Sequence, residues 1–108
     1  MGQFDQLEKL NNDITAKAGV SPEQSYTAKL ISKGVFKCAK KFGEEAVELV
    51  LASVSDDKLE TTKEAADVLY HFLVLLQATG VSPDDVMAEL KRREGTGGLV
   101  EKASRKHD

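Results

Sequence analysis

Two groups of carboxylates stand out because the sequence around them is apolar. Glu44, Glu45 and Glu48 lie within KKFGEEAVELV at residues 40–50, and Glu64 and Asp67 lie within KEAADVLYHFLVLL at residues 63–76. Charged side chains in helices that pack into a core either reach solvent or are held by positive charge. The two groups therefore indicate either solvated helix faces or a cation-binding site.

The spacing of the two groups favours the cation site. If the helices that carry them form an antiparallel hairpin folded at Asp56, residues equidistant from Asp56 face each other. The facing pairs are then Glu48 with Glu64, Glu45 with Asp67, and Lys41 with His71. Packed helices lie about 8–10 Å apart, and carboxylates at that range oppose each other's ionisation unless a cation intervenes. We therefore predict a divalent metal site whose ligands are Glu45, Glu48, Glu64 and Asp67.

The chemistry of these ligands predicts which metal binds. All of them offer hard carboxylate oxygens, which suit Mg²⁺ and, as an alternative, Mn²⁺. A ferritin-like di-iron centre uses a Glu-x-x-His motif on two helices, whereas Glu64 is followed three residues later by Asp67. We therefore expect Mg²⁺ rather than redox-active iron.

The elements that must position these groups are all predicted to be helices. Apolar residues recur at helical spacing, and no segment alternates for long in the manner of a strand. The predicted helices cover about residues 3–17, 25–33, 35–54, 58–79 and 82–93, with Gly34 and Gly80 as stops. Ser21-Pro22 and Ser82-Pro83 both resemble a cap followed by proline at the first helical position. We predict one all-α domain over residues 1–108, a helical bundle with a long central antiparallel hairpin, whose tail at 95–108 is mobile or folds over the site.

Composition narrows the range of partners and compartments. The 108 residues carry a net charge of −3, so the basic surface of a nucleic-acid-binding module is not expected. A single cysteine, Cys38, cannot form an intramolecular disulfide, which fits a reducing compartment. No apolar stretch is long enough to span a bilayer, and the first ten residues lack the pattern of a secretion signal. We expect a cytoplasmic protein that has neither nucleic acid nor membrane as a partner.

The acidic motif as a whole is similar to one found in a known superfamily. Glu-Glu-x-x-Glu followed by Glu-x-x-Asp on the next helix resembles the all-α nucleoside triphosphate pyrophosphatases, the MazG-like superfamily. Within it, the segments SYTAKL, ELKRREGTGG and EKASR and the pair Tyr70-His71 resemble the phosphoribosyl-ATP pyrophosphohydrolase family. The resemblance implies Mg²⁺-dependent hydrolysis of phosphoribosyl-ATP to phosphoribosyl-AMP and pyrophosphate, the second step of histidine biosynthesis. It also implies a homodimer in which helices of two chains complete one bundle.

The resemblance suggests roles for individual residues. Glu44, Glu45 and Glu48 are the candidate catalytic carboxylates, with Glu44 as a fifth metal ligand or as the base that orients water. The candidate substrate-binding residues are Ser25, Tyr26, Lys40, Lys41, His71, Arg93, Lys102 and Arg105. Each of these has a simpler interpretation as a helix cap, a core histidine, charge balance or solvated charge.

Two other functions are compatible with the sequence. A house-cleaning pyrophosphatase for aberrant or deoxynucleoside triphosphates would share the metal site. A non-catalytic dimerisation module would carry the same acids as solvated charges and would not be stabilised by Mg²⁺.

Overall fold

The computed structural model describes residues 2–95, and this part of the chain contains five helices and no strand. The helices are α1 (Asp5–Lys17), α2 (Tyr26–Ser32), α3 (Val35–Val54), α4 (Lys58–Thr79) and α5 (Pro83–Arg92). The predicted all-α fold is confirmed. The predictions about the tail, including those for Lys102 and Arg105, lie outside the described residues.

Short polar residues and glycine set the helix boundaries. The Ser25 hydroxyl accepts a hydrogen bond from the Ala28 N–H at 3.2 Å, which caps α2. The Asp57 carboxylate accepts one from the Glu60 N–H at 3.0 Å and caps α4. At its other end α4 stops at Gly80, whose φ of 78° is the left-handed conformation that glycine adopts without a steric penalty.

Two local predictions were wrong. Residues 22–24 form a turn rather than the start of a helix, because the Gln24 N–H bonds to the Ser21 carbonyl at 2.9 Å and the next helix is capped at Ser25. α1 begins at Asp5 and not at residue 3, and Phe4, which was predicted to join its apolar stripe, is 68% exposed.

The long helices α3 and α4 form the antiparallel hairpin that was predicted. A turn of residues 55–57 joins them, and the two helices pack against each other along their length. Asp56, at the centre of the turn, has a φ of 62°. Aspartate tolerates this left-handed conformation better than most residues do, so the fold point and its residue type agree.

The core lies on one side of this hairpin. Its buried side chains come from four helices and are Ile14, Leu30, Cys38, Leu73 and Val74. α4 contacts α1, α2 and α3, which fixes its rotation. The Cys38 thiol donates to the Leu30 carbonyl at 3.4 Å, and burial raises the pKa of Cys38, as expected for a packing residue.

Within residues 2–95, no single helix is long and apolar enough to cross a bilayer. α4 and α5 meet the requirements of length and composition only as a pair, and the chain bends by 104° between them.

Candidate metal centre

Three carboxylates meet between α3 and α4. Glu45, Glu64 and Asp67 each place one oxygen within 4.8 Å of the other two. Two oxygens on opposite sides of Mg²⁺ are about 4.2 Å apart, twice the usual bond length of about 2.1 Å, so the spacing of the three oxygens is close to that of a common cation shell. The group comes from both helices of the hairpin because Glu45 and Asp67 are equidistant from Asp56.

Among the described residues, the charges that act on Glu64 are all negative. Partial burial raises the pKa of Glu64, and neighbouring carboxylates raise it further; these are Asp67, Glu60, Glu45 and Glu48. A carboxyl whose ionisation is opposed by both burial and like charge is stabilised in its charged form when a cation binds. The donor set and its electrostatics therefore fit a hard divalent cation.

The other two acids of the first group lie beside the cluster. Glu48 is exposed and close enough to act on Glu64, but it is outside the group of three. Glu44 is also exposed and forms an ion pair with Lys41 at 3.9 Å. The structure thus brings together three of the four predicted ligands and directs Glu44 towards positive charge.

His71 lies between the acidic group and the core. The residue is only 6% exposed, and no described residue forms a hydrogen bond with its Nδ1. Burial lowers the pKa of His71 and Lys41 lowers it further, whereas Glu45 and Asp67 act in the opposite direction. The neutral imidazole is favoured, and its Nδ1 is buried without a hydrogen-bond partner among the described residues.

The residue next to His71 fixes the position of the ring. Tyr70 and His71 are in edge-to-face contact, with 4.9 Å between the ring centroids. The Tyr70 hydroxyl forms a hydrogen bond with the Thr27 hydroxyl on α2. This contact ties α4 to α2 one residue away from His71.

A cavity of about 320 Å³ opens between α2 and α3, next to the acidic group. We call it the lysine cavity, because its lining residues are Lys29, Lys33, Lys37, Lys40 and Lys41, together with Tyr26, Leu30 and Glu44. Tyr26, Lys40 and Lys41 were candidates from the sequence. Lys29, Lys33 and Lys37 were missed; their only signal was a helical recurrence of lysine on both sides of Gly34.

The remaining candidates have local partners. Ser25 caps α2 and does not line the lysine cavity. Arg93 follows α5, and its Nε donates to the Glu89 carboxylate at 2.9 Å. Hydrogen bonds from Arg92 and then Arg93 lower the pKa of Glu89 to about 2.

Comparison with known proteins identifies the family of the chain. Residues 7–94 match the family described as phosphoribosyl-ATP pyrophosphohydrolase. A phosphoribosyl-ATP pyrophosphatase of Dinoroseobacter shibae is 54% identical over 99 residues, which cover 92% of this chain and 97% of the relative. A protein of the same name from Parvibaculum lavamentivorans is 55% identical over 100 residues, covering 93% of this chain and 92% of the relative. The chain therefore belongs to the phosphoribosyl-ATP pyrophosphohydrolase family.

Proposed function

We propose that this chain hydrolyses phosphoribosyl-ATP between the α- and β-phosphates. The products are phosphoribosyl-AMP and pyrophosphate, and the reaction is the second step of L-histidine biosynthesis. The observation that carries the proposal is the meeting of Glu45, Glu64 and Asp67 across the hairpin in a chain of this family. Hydrolysis of a polyphosphate requires positive charge on the phosphoryl oxygens and a positioned water, and an acidic metal site meets both needs.

The proposed cofactor is Mg²⁺, with Mn²⁺ as the alternative. Glu45, Glu64 and Asp67 would hold the ion, and the exposed Glu48 would join them by rotating its side chain. When bound, Mg²⁺ neutralises phosphate oxygens and makes a coordinated water more acidic. The exposed carboxylate of Glu44, beside Lys41, is suited to orient a water or to serve as a fifth ligand.

Residues around the acidic group would position the substrate. Lys40, Lys41 and Tyr26 line the lysine cavity, where they can meet phosphate oxygens. His71, whose Nδ1 has no hydrogen-bond partner among the described residues, would bond to substrate or to a ligand carboxylate. Ser25 and Arg93 remain predicted substrate contacts, although each has a local partner. Lys102 and Arg105 remain predicted phosphate clamps.

The surface of α3 supports a homodimer. Apolar side chains at helical spacing form an exposed stripe, with Phe36 80%, Val47 57%, Val50 59% and Val54 76% exposed. Gly43 lies on the same side of the helix and offers no side chain to hold a neighbour away. An exposed apolar stripe of this length favours burial against a second copy of the chain, which would complete the bundle. We place the enzyme in the cytoplasm, in keeping with its single buried cysteine.

The proposal is tested by measuring pyrophosphate release from phosphoribosyl-ATP, dUTP, dCTP and ATP at matched concentrations, with Mg²⁺ and with chelator. We expect Mg²⁺-dependent turnover of phosphoribosyl-ATP alone, and its loss in the Glu64→Gln variant. Preferential turnover of a deoxynucleotide would show a house-cleaning enzyme. No turnover of any substrate would leave a non-catalytic dimerisation module.

A further inference from the structure

We propose that the lysine cavity is a separate anion subsite, which binds the pyrophosphoryl end of the substrate and retains pyrophosphate after hydrolysis. The proposal rests on the proposed function for the identity of the substrate. It assigns a role to Lys29, Lys33 and Lys37. In this proposal the lysines hold the leaving phosphates, and the carboxylates surround the bond that is broken.

Most of the lysines in the cavity lack a counter-charge. Within residues 2–95, Lys41 alone among the five has a carboxylate within 4.0 Å, that of Glu44 at 3.9 Å. The whole chain is acidic, with a net charge of −3, yet five lysines and one glutamate converge on this cavity. Like charges gathered without partners repel each other, so an anion that bound in the cavity would relieve this repulsion.

The N-terminal end of α3 adds to the positive potential in the lysine cavity. α3 has no acidic residue in its first turn, and Gly34, which precedes it, provides no side-chain cap. Lys37 lies in that first turn and lines the cavity. A cation is unfavourable at the positive end of a helix dipole, whereas an anion is stabilised there. Arrangements that break local rules in this way are expected mainly at functional sites.

Charge and volume indicate the class of ligand. A phosphate monoester carries a charge of about −1.5 to −2 near neutral pH. This negative charge is smaller than the positive charge that remains in the cavity when one glutamate is set against five lysines. A pyrophosphoryl group, with two phosphates, matches the excess better. The cavity volume of about 320 Å³ greatly exceeds the share of a single water, about 30 Å³. Lysines act as mobile point charges towards such an anion.

The cavity adjoins the metal centre. Glu44 lines the cavity, and the next residue, Glu45, belongs to the group of three carboxylates. Lys41 also lines the cavity and acts electrostatically on His71, which is affected in turn by Glu45 and Asp67. A polyphosphate can therefore have its scissile bond at the acids and its terminal phosphates among the lysines.

The test compares the double variant Lys33→Gln/Lys37→Gln with a matched control, Lys9→Gln/Lys58→Gln. The control removes the same charge from exposed positions of α1 and α4 outside the cavity. Pyrophosphate binding is measured by titration calorimetry in chelator, and phosphoribosyl-ATP kinetics are measured with Mg²⁺. We expect the cavity variant to bind pyrophosphate at least tenfold more weakly than the wild type does. Its KM for phosphoribosyl-ATP should rise by a larger factor than its kcat falls, and pyrophosphate should inhibit it less. The control should behave as the wild type does.

A stability measurement separates a binding role from a structural one. Without added anion, the cavity variant should melt at or above the temperature of the wild type, because lysine repulsion is reduced. With pyrophosphate, only the wild type and the control should gain stability.

Two results would overturn the proposal, and a third would separate it from the proposed function. Equal pyrophosphate affinity in all three proteins would exclude the lysines from anion binding. Weakened inhibition by phosphoribosyl-AMP, with inhibition by pyrophosphate intact, would show that the cavity takes the phosphate of the phosphoribosyl group instead. A wild type that binds pyrophosphate through these lysines but hydrolyses no substrate would support the subsite and refute the proposed function.

Discussion

Replacing Glu45 by glutamine should have opposite effects on the metal-free and the metal-bound protein. The substitution keeps the shape of the side chain but removes one of three carboxylates whose oxygens lie within 4.8 Å of one another. Without metal, the variant loses a repulsion and should be more stable than the wild type. With Mg²⁺, it loses a ligand and should gain much less stability than the wild type does.

The distance between the carboxylates sets the magnitude. Two unit charges 4.8 Å apart in the dielectric of water repel by about 0.9 kcal/mol, and the water value applies because Asp67 is exposed. For a chain of 108 residues, about 1 kcal/mol corresponds to a rise of about 4 °C in melting temperature. Saturating Mg²⁺ at a hundred times Kd would stabilise the wild type by about 2.7 kcal/mol, or about 12 °C. A hundredfold loss of affinity would leave about 0.4 kcal/mol.

The assay is thermal unfolding of the wild type, Glu45→Gln and Glu8→Gln, each with chelator and with a Mg²⁺ series. Glu8 lies in the first turn of α1 and is outside the acidic group, so its variant should keep the full response to Mg²⁺. If Glu45→Gln melts no higher than the wild type in chelator and responds equally to Mg²⁺, the three carboxylates do not share a cation.

Three further predictions concern pH, assembly and the turn. In chelator, the contribution of Glu64 to stability should rise as the pH falls from neutral towards 4.5, because its raised pKa makes the folded state take up a proton before the unfolded state does. The difference in the free energy of unfolding between a His71→Asn protein and its Glu64→Gln derivative, measured at several pH values, should show this slope. The comparison is needed because the lowered pKa values of His71 and Glu89 give the opposite slope as the pH falls. The double variant Val50→Ser/Val54→Ser should sediment at the mass of one chain where the wild type sediments as two, and a wild type of single-chain mass would refute the dimer. Asp56→Val should lower the free energy of unfolding by about 1–2 kcal/mol because of its left-handed φ of 62°, whereas Asp56→Gly should not.

The helices and the metal group could be predicted because each depends on local signals. The side chains of Ser25 and Asp57 accept hydrogen bonds from backbone N–H groups in the first turn of a helix, which places these residues at helix starts. Gly80 ends α4 because glycine, without a side chain, adopts the left-handed conformation. The meeting of Glu45 with Asp67 followed from helical periodicity and from one assumption, the fold point of the hairpin. Because the turn is short, the two helices can hardly slide along each other, and the position of the turn determines which residues are opposite each other.

Other parts of the site depend on contacts that local patterns do not encode. The lysine cavity exists because α2 packs across the start of α3, and nothing in the spacing of Lys29 or Lys33 predicts that crossing. Arg93 forms an ion pair with Glu89, four residues earlier on the surface of α5, and its contact with phosphate stays a prediction. The segment after Ser21 forms a turn in which the Ser21 hydroxyl donates to the Glu23 carboxylate at 2.7 Å, and the next helix is capped at Ser25.

The short turn between α3 and α4 also determines where the chain can accept added residues. The three carboxylates of the candidate metal centre come from both helices, so a residue inserted at 55–57 would move that of α3 relative to those of α4. The connection between α1 and α2, residues 18–25, contributes no ligand, and most of its residues are exposed. Tags and fused domains should therefore be tolerated in that connection, whereas a change in the length of the hairpin turn should separate the three carboxylates and weaken the binding of Mg²⁺.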